Sequence, residues 1–389
     1  MPPIMLGGKN GSRLSPILIF CLFCFGFLFF VRPHLNGIVN GARDHSRQWV
    51  STNQSIAKPS SASQPPLSFD WASDVSVVYT WVNGSVPEQA RLRKQYGGPS
   101  ISGRFRDNED LRFSMRTWIN NAPWHTGKIY IVSPTPPDWL DLTHPRVEWV
   151  DQNTIIPTKY QPAFTSNIIE QYLYRIPGLT ERFIHLNDDY MIDRKISPSD
   201  LFTAEGGARF FYSRTNVNDD PRPRTGIWFR SLLNTVDAIE RAYGTDKGQT
   251  RFLKHAPYVY YKSAMEGVHR RFKDVLEVTN HHKFRHEQDV LLPYLHHAYV
   301  INEGSRCCSL KYDVVNWKKT AKDSTLLIWT EDVENNVYSI ENIGKPLFLT
   351  INDSMGRGNP VAAELQIRQF YQSRYGHLRS PYEKEHLRI

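Results

Sequence analysis

The stretch RFIHLNDDYM, residues 182–191, decides the fold of this chain. Its apolar part, residues 183–186, predicts a short buried strand of the kind found in sheets that helices cover on both faces. Asn187, Asp188 and Asp189 follow at the carboxyl end of the strand, the edge where open α/β sheets bind ligands. Adjacent carboxylates repel each other unless they share a cation, and oxygen ligands suit Mg²⁺ or Mn²⁺. On this stretch alone a turn with a helix N-cap is the favoured interpretation, because turns are rich in such residues.

The composition indicates a globular protein with a basic surface. The chain has 389 residues, of which 40% are hydrophobic, enough for one large or two ordinary domains. Its net charge of +8 fits nucleic acid, an acidic membrane surface or a phosphate-bearing substrate. The sequence has neither a Lys/Arg block nor a zinc-finger spacing, so nucleic-acid binding is the weaker interpretation.

An uncharged apolar run at residues 16–31 predicts a membrane anchor. The run is short for a spanning helix, which needs roughly 17–25 residues. A cleaved signal peptide usually has an apolar core of about 7–15 residues and a small-residue cleavage site, which is missing after this run. We therefore predict a single-pass type II signal anchor, with residues 1–15 in the cytosol. The short span fits thin Golgi or ER membranes.

The segment after the anchor, residues 32–73, is rich in Ser, Asn, Gln and Pro and predicts a flexible stem. Asn53 in this stem is the expected glycan site, which would make the protein a glycoprotein. Residues 74–389 are then the luminal domain. Cys307 and Cys308 are adjacent and poorly placed to pair, so we expect no disulfide framework in that domain.

Two further regions carry candidate binding residues. A strand at 75–82 ends at an Asn-Gly turn, where Trp81 and Asn83 could hold a nucleobase, although a core Trp and a turn Asn are equally compatible. A helix that starts near Asp107 carries Asn108, Arg112 and Arg116 at four-residue spacing. Two arginines one turn apart can clamp a phosphate or a carboxylate. Without further information, a solvated stripe that pairs with nearby acids is the favoured interpretation of these arginines.

The order of elements predicts an α/β fold with a mixed, mostly parallel sheet flanked by helices. The expected strands are 128–133, 146–151, 183–186, 208–212 and 346–351, and the expected helices are 164–176, 228–243, 263–278 and 360–375, with another opening at 283–289. The strand at 346–351 ends in Asn352 and Asp353. Asp353 is therefore expected beside Asp188 and Asp189 around one site. Several histidines occur between 281 and 297, but no Cys or complete H-E-x-x-H pattern accompanies them, so zinc is discounted.

Five stretches together carry a family resemblance. They are VVYTWVNG (77–84), RFRDNEDLRFSMR (104–116), FIHLNDDYM (183–191), KHAP with KFRHEQD (254–257 and 283–289), and FLTINDS (348–354). In this order they resemble the four blocks of the Stealth family of sugar-1-phosphate transferases. That family includes the catalytic subunit of N-acetylglucosamine-1-phosphotransferase and bacterial capsule and exopolysaccharide phosphotransferases. This chain lacks the long insertions that the N-acetylglucosamine-1-phosphotransferase subunit carries between its blocks, so the chain is similar to a minimal catalytic core.

The resemblance implies transfer of a sugar-1-phosphate from a nucleotide sugar, such as a UDP- or GDP-sugar, to a glycan or glycoprotein hydroxyl, with release of a nucleoside monophosphate. It also implies a nucleotide-sugar-transferase-like core and a divalent cation. A metal-dependent glycosyltransferase that releases a nucleoside diphosphate and a non-catalytic glycan-binding membrane protein remain alternatives. We discount nucleic acid as a partner.

The resemblance also implies roles for individual residues. Catalytic roles fall to His255 as general base, Arg285 on the phosphate, and Asp189; metal binding falls to Asp188, Asp189 and Asp353; substrate binding falls to Trp81, Asn83, Gly84, Asn108, Arg112, Arg116, Asn187 and Asn352. One position departs from the family, because Ser76 stands where the first block usually has Asp. Asp74, two residues earlier on the same strand face, is the candidate substitute.

Overall fold

The computed structural model describes residues 68–98, 105–244, 250–315, 323–356 and 360–387. All of them belong to one compact unit that spans 63–389. Within these ranges none of the helices combines the length and the apolar character needed to cross a membrane. The predicted anchor and Asn53 lie outside the described residues. Packed structure begins before residue 74, because Ala72 is fully buried and Trp71 packs against Phe202 at 5.1 Å between ring centroids.

The described strands and helices alternate along the chain. The strands are β1 (Ser76–Thr80), β2 (Ile129–Ser133), β3 (Val147–Asp151), β4 (Arg182–Asn187), β5 (Tyr190–Ile192), β6 (Ala208–Asn216), β7 (Arg251–Leu253), β8 (Tyr258–Tyr261), β9 (Tyr312–Val315), β10 (Ser324–Trp329) and β11 (Phe348–Asp353). The α-helices are α1 (Pro87–Gln95), α2 (Asp110–Asn121), α3 (Gln152–Ile155), α4 (Ser166–Ile169), α5 (Ile227–Tyr243), α6 (Lys262–Arg271), α7 (Lys273–Asn280), α8 (Leu292–Tyr299), α9 (Ser305–Cys307), α10 (Val333–Asn342) and α11 (Val361–Tyr375).

The central sheet has the strand order β3-β2-β1-β4-β8. The first four strands are parallel, and β8 pairs antiparallel with β4. Every residue of β1 and β2 is buried, which explains why these strands read as nearly continuous apolar runs. The predicted mixed, mostly parallel sheet flanked by helices is confirmed.

A second sheet, of order β10-β11-β5, meets the central one at the acidic turn. The chain leaves β4 at Asn187, turns through Asp188 and Asp189, and enters β5, which pairs antiparallel with β11. The turn therefore lies where the chain passes from one sheet to the other. A third sheet has the strand order β7-β6-β9, and none of its strands adjoins the acidic turn in the sequence.

Several predicted helices differ in extent from the observed ones. The predicted helix 164–176 is a short α4 followed by a 3-10 helix, Glu170–Arg175, and the predicted helix 263–278 is divided into α6 and α7. The prediction that 283–289 opens a helix is wrong. The Asp289 carboxylate accepts hydrogen bonds from the His286 backbone and from Asn167, which bends this segment into a loop, and the next helix begins only at Leu292.

Two local predictions also differ from the structure. Asp107 does not cap α2, since the helix begins at Asp110 behind Glu109, whose φ is +69°. Cys307 and Cys308 form a disulfide, so the expectation that they would not pair is wrong. They can meet because the helical turn of α9 ends at Cys307 and Cys308 adopts a φ of −133°.

Asp74 and Ser76 lie at the amino end of β1, opposite to the edge that carries the acidic turn. Asp74 is exposed and ends a 3-10 helix, Asp70–Asp74. The Ser76 hydroxyl accepts a hydrogen bond from the Thr180 backbone at 3.2 Å. Parallel strands place equivalent ends together, so Asp74 and Ser76 both lie away from the edge that carries the acidic turn. Replacement of the family acid by Asp74 stays a prediction.

Candidate functional site

The Asp188–Asp189 turn concentrates negative charge at the carboxyl edge of β4. Both residues are half-buried. Burial, followed by repulsion from Asp189 and Asp110, raises the pKa of Asp188 well above its ordinary value. Burial and the Asp110 carboxylate raise the pKa of Asp189 to about 7, although Arg285 acts in the opposite direction. A bound proton or cation is needed to relieve the repulsion between these carboxylates.

Asp110 extends this acidic group and was missed as a site residue in the sequence. It is the first residue of α2, and its carboxylate accepts hydrogen bonds from the Tyr371 hydroxyl at 2.6 Å and from the Asn108 backbone at 3.1 Å. Burial is the main reason that the pKa of Asp110 is raised to about 7. Its sequence signal was present in the DNED motif, where it was interpreted only as a partner for the arginines.

Asp353, at the end of β11, has a different environment. Its carboxylate forms an ion pair with Arg106 at 2.7 Å and accepts a weaker hydrogen bond from the Asn108 amide at 3.3 Å. Arg106 also pairs with Glu364 at 2.7 Å. Neighbouring Asn352 accepts a hydrogen bond from the Ser354 hydroxyl at 3.2 Å. The structure thus places Asp353 near the acidic turn but neutralises it from within the chain.

His255 lies between the two sheets. It precedes β8, which runs antiparallel to β4 with Tyr258 opposite His185, so the chain passes His255 alongside the acidic turn. Its carbonyl accepts hydrogen bonds from Ser324 at 3.1 Å and Thr350 at 3.4 Å, and its ring lies 6.0 Å from that of Tyr190. Burial, with a smaller effect of Lys254, lowers the pKa of His255 to about 4. The imidazole is therefore neutral at pH 7 and can accept a proton.

Arg285 lies on the loop between α7 and α8 and is close enough to the acidic turn to interact electrostatically with Asp189. Its guanidinium donates a hydrogen bond to Ser166 at 3.0 Å and interacts electrostatically with Glu170 and Asp189. Glu170 is 8% exposed, and burial raises its pKa to about 7 against the opposing influence of Arg285. Ser166 and Glu170 were not expected from the sequence, because nothing local distinguishes them from ordinary helix residues.

The first-block residues mainly stabilise a turn. Trp81 is only 7% exposed and packs in the main core. Asn83 accepts a hydrogen bond from the Ser85 backbone at 2.9 Å. A Cβ on Gly84 would lie 2.3 Å from the Cβ of Phe105, so the close approach of these two segments requires glycine. These contacts match the packing alternative that the sequence left open, and a binding role for the three residues stays a prediction.

Arg112 and Arg116 do clamp a carboxylate, but it belongs to the chain itself. Glu383 is 1% exposed and receives hydrogen bonds from both guanidinium groups, including Arg112 Nη2 at 2.7 Å and Arg116 Nη2 at 2.7 Å. The clamp predicted from the spacing is present, and its occupant is Glu383. A role of these arginines in substrate binding stays a prediction. Asn108 is fully buried, and its Oδ1 makes no hydrogen bond within the described residues.

The structure does not show a preassembled metal site. Within the described parts of the chain, no three His, Cys, Asp or Glu side chains are grouped as metal ligands. Asp188 and Asp189 are brought together, whereas Asp353 is held by Arg106. Mg²⁺ commonly uses one or two carboxylates and completes its shell with water and substrate phosphates, so the acidic pair alone fits such an ion.

Two family models match this chain. Stealth protein conserved region 2 matches residues 104–210, and Stealth protein conserved region 3 matches residues 254–302. The chain carries two conserved regions of the Stealth proteins. The predicted resemblance is confirmed. Region 2 contains the acidic turn, Asp110 and Glu170, and region 3 contains His255 and Arg285.

Curated relatives support the same resemblance. An exopolysaccharide phosphotransferase of Streptomyces coelicolor is 29% identical over 322 residues, which cover 80% of this chain and 52% of the relative. The capsular polysaccharide phosphotransferase SacB of Neisseria meningitidis serogroup A is 27% identical over 340 residues, which cover 85% of this chain and 61% of that protein. This chain therefore spans between half and two thirds of the length of these relatives. Among solved structures, the galactosyltransferase LgtC aligns with a TM-score of 0.40 at 9% identity, covering 81% of this chain and 99% of that one.

Proposed function

We propose that this Stealth-type protein transfers a sugar-1-phosphate from a nucleotide sugar to a hydroxyl of a glycan or polysaccharide and releases a nucleoside monophosphate. The observation that carries the proposal is the convergence of the acidic turn, Arg285 and His255 at one sheet edge. Each supplies one requirement of phosphoryl transfer: charge neutralisation of the diphosphate, stabilisation of the transferring group, and a proton acceptor. The similarity to proteins named as polysaccharide phosphotransferases supports the same reaction class.

In this mechanism the acceptor oxygen attacks the phosphorus that carries the sugar. The bond from that phosphorus to the oxygen of the nucleoside monophosphate breaks, and the electron pair leaves with the monophosphate. The neutral His255 imidazole takes the acceptor proton on its free ring nitrogen. Arg285, oriented by Ser166, stabilises the negative charge on the phosphoryl oxygens. Asp188 and Asp189 would hold a Mg²⁺ or Mn²⁺ ion, which supplies charge neutralisation of the diphosphate.

The released nucleotide tests the proposal. The purified protein, in detergent, is incubated with UDP- and GDP-sugars, a divalent cation and candidate glycan acceptors, and the nucleotide products are separated chromatographically. Nucleoside monophosphate that appears in step with a phosphodiester-linked product supports the proposal. Nucleoside diphosphate would instead assign sugar transfer by a glycosyltransferase. The Asp188→Asn variant serves as the inactive control in both cases.

The cellular location also remains a proposal. We propose a single-pass type II protein of the Golgi or ER membrane with a luminal catalytic domain, motivated by the uncharged run at residues 16–31. Protease protection of the catalytic domain in sealed microsomes is the expected result. Digestion without detergent would contradict the proposed topology.

A further inference from the structure

Three side chains form a hydrogen-bonded chain from the core to the acidic turn. Thr80 ends β1 and is paired in register with Asn187, which ends β4. The Thr80 hydroxyl lies 3.0 Å from Asn187 Oδ1 and 3.2 Å from His185 Nε2. His185 is fully buried and Thr80 is 7% exposed, whereas Asn187 is half-exposed at the sheet edge. His185 and Asn187 share one face of β4 because they are two residues apart.

The chemistry of the three groups fixes the direction of these hydrogen bonds. The Asn187 Oδ1 can only accept, so the single hydroxyl hydrogen of Thr80 is donated to it. His185 must then donate from Nε2, which leaves Nδ1 as a bare acceptor. This agrees with the structure, in which Nδ1 of His185 is buried and has no partner among the described residues. If Thr80 instead donated its hydrogen to His185 Nε2, the ring proton would lie on Nδ1 and this buried N–H would have no acceptor. Buried N–H groups without an acceptor are rare in proteins.

The charge of His185 agrees with this direction. Burial lowers the pKa of His185 to about 3, so the ring is neutral and holds one proton throughout the physiological range. That proton lies on Nε2, facing Thr80. The inward bond uses one of the two lone pairs of Asn187 Oδ1 and turns this oxygen toward Thr80. The NH₂ group, on the other branch of the amide, is then offered at the strand end, next to Asp188.

We propose that Asn187 donates a hydrogen bond to an anionic phosphoryl oxygen of the nucleotide-sugar diphosphate, and that Thr80 and His185 are positioning residues that fix its amide orientation. In this arrangement Asn187 meets the ligand through Nδ2, rather than by binding a metal ion through Oδ1, even though it adjoins the acidic pair. This inference rests on the proposed function for the identity of the ligand. The inference predicts that the end of β4 presents two hydrogen-bond acceptors, the carboxylates, beside one donor whose orientation is fixed.

Thr80→Val and Thr80→Ser test the positioning role. Valine matches the shape of threonine in a strand but cannot hydrogen-bond, whereas serine keeps the hydroxyl. The affinities for the nucleotide sugar and, separately, for Mn²⁺ are measured by calorimetry, together with kcat and KM. Thr80→Val should weaken nucleotide-sugar binding by about 3–10-fold, the effect of one net hydrogen bond, and raise KM accordingly. The affinity for Mn²⁺ alone should not change, and Thr80→Ser should remain close to wild type.

Two further variants separate the possible causes. Thr235→Val removes another buried hydroxyl, which bonds to Ser231 and Leu291 within the helical layer, and should lower stability without changing nucleotide-sugar affinity. Asn187→Asp keeps the oxygen that faces Thr80 but replaces the donor by a charged acceptor. It should weaken nucleotide-sugar binding by more than about 10-fold, since it loses a hydrogen bond to a charged group and adds like-charge repulsion.

The results distinguish this inference from the proposed reaction. If Thr80→Val alters Mn²⁺ affinity and leaves nucleotide-sugar affinity unchanged, Asn187 acts through its oxygen and the inference is overturned. Unchanged affinity for both ligands would overturn it as well. The proposed reaction is judged separately, by which nucleotide the wild-type protein releases. Release of a diphosphate would refute sugar-phosphate transfer while the predicted ratios of variant to wild-type affinity could still hold.

Discussion

The strand ends of β4 and β11 carry nearly the same sequence in different electrostatic surroundings. Each is a buried strand that ends in Asn followed by Asp. After β4, Asp188 and Asp189 lie beside further carboxylates, and burial with mutual repulsion raises the pKa of Asp188. At the end of β11, burial also raises the pKa of Asp353, but the guanidinium of Arg106, at 2.7 Å, opposes this shift.

The difference between the two ends shows what distinguishes a binding carboxylate from a structural one. A carboxylate that the chain neutralises itself contributes to the fold, because its partner would be left uncompensated without it. A carboxylate surrounded by others is held at a cost that only a proton or a bound cation relieves. We therefore propose cation binding at the β4 end and structural support at the β11 end.

The largest effect is expected at the β4 end. Asp188→Asn and Asp189→Asn should each reduce turnover by about 10³-fold, since the charge that neutralises the diphosphate is lost. Both variants should be at least as stable as wild type at pH 8, because an amide removes the repulsion. Steady-state turnover and thermal unfolding are the measurements. Asp237→Asn, on the exposed face of α5, is the matched control and should keep full activity. Turnover that persists in a chelator would contradict a role for metal.

His255, whose carbonyl contacts β10 and β11 and whose ring lies 6.0 Å from that of Tyr190, should give the next largest effect. His255→Ala should lower kcat by about 10²-fold with little change in donor affinity, because a base acts on the acceptor hydroxyl. Single-turnover rates and calorimetric donor affinity check this split. Arg285→Ala, in contrast, should weaken both, and Arg285→Lys should restore only part of the loss, since a point charge cannot replace the planar fork. Wild-type turnover in His255→Ala would remove this residue from the mechanism.

At the β11 end the expected loss is in stability. Asp353→Asn leaves Arg106 with Glu364 alone and should lower the free energy of unfolding by about 1–3 kcal/mol. Activity per folded molecule should fall by less than about 10-fold. Denaturant unfolding and turnover on the same samples decide the matter. A loss of activity as complete as that of Asp188→Asn, at unchanged stability, would instead make Asp353 a metal ligand, as the sequence suggested.

The smallest effect concerns Glu170, which lies behind the acidic turn next to Arg285. Its pKa is raised from 4.5 to about 7 by burial, so between these values the folded state binds more protons than the unfolded state. Stability should therefore fall as pH rises through this window. Glu170→Gln removes the charge, and its advantage over wild type should grow to about 1–3 kcal/mol by pH 8.

Unfolding in denaturant at pH 4, 6 and 8, with chelator present, measures this advantage. Glu266→Gln on the exposed face of α6 is the control and should follow wild type at every pH. Parallel pH profiles for Glu170→Gln and wild type would show that burial of Glu170 costs nothing in this range.

The sequence predicted the elements that local pattern determines. The alternation and apolar runs of β1, β2, β3, β4 and β11 gave their positions to within a few residues, as did the 3.6-residue periodicity of α5 and α11. The loop at 283–289 was interpreted as a helix because its polar pattern resembles a helix start. The buried Asp289 that bends it depends on Asn167, more than 100 residues earlier, which no local pattern reveals.

The candidate site was predictable only in part for the same reason. The acidic pair, His255 and Arg285 occupy recognisable motifs. The partners that give them their properties are distant in sequence: Asp353 binds Arg106, Glu383 binds Arg112 and Arg116, and Arg285 donates to Ser166. A carboxylate motif therefore indicates where charge is located along the chain, and the fold decides whether that charge is compensated.

The Glu383 clamp has a consequence for the order of events during translation. Arg112 and Glu383 are 271 residues apart, so the ribosome makes the two arginines long before their carboxylate partner. At about 5–20 residues per second this interval lasts roughly 15–50 s. Asp110 is likewise made long before its partner Tyr371, and Arg106 is made long before its partner Asp353. The growing chain must therefore keep α2 accessible until the segment that carries Glu383 has emerged from the ribosome.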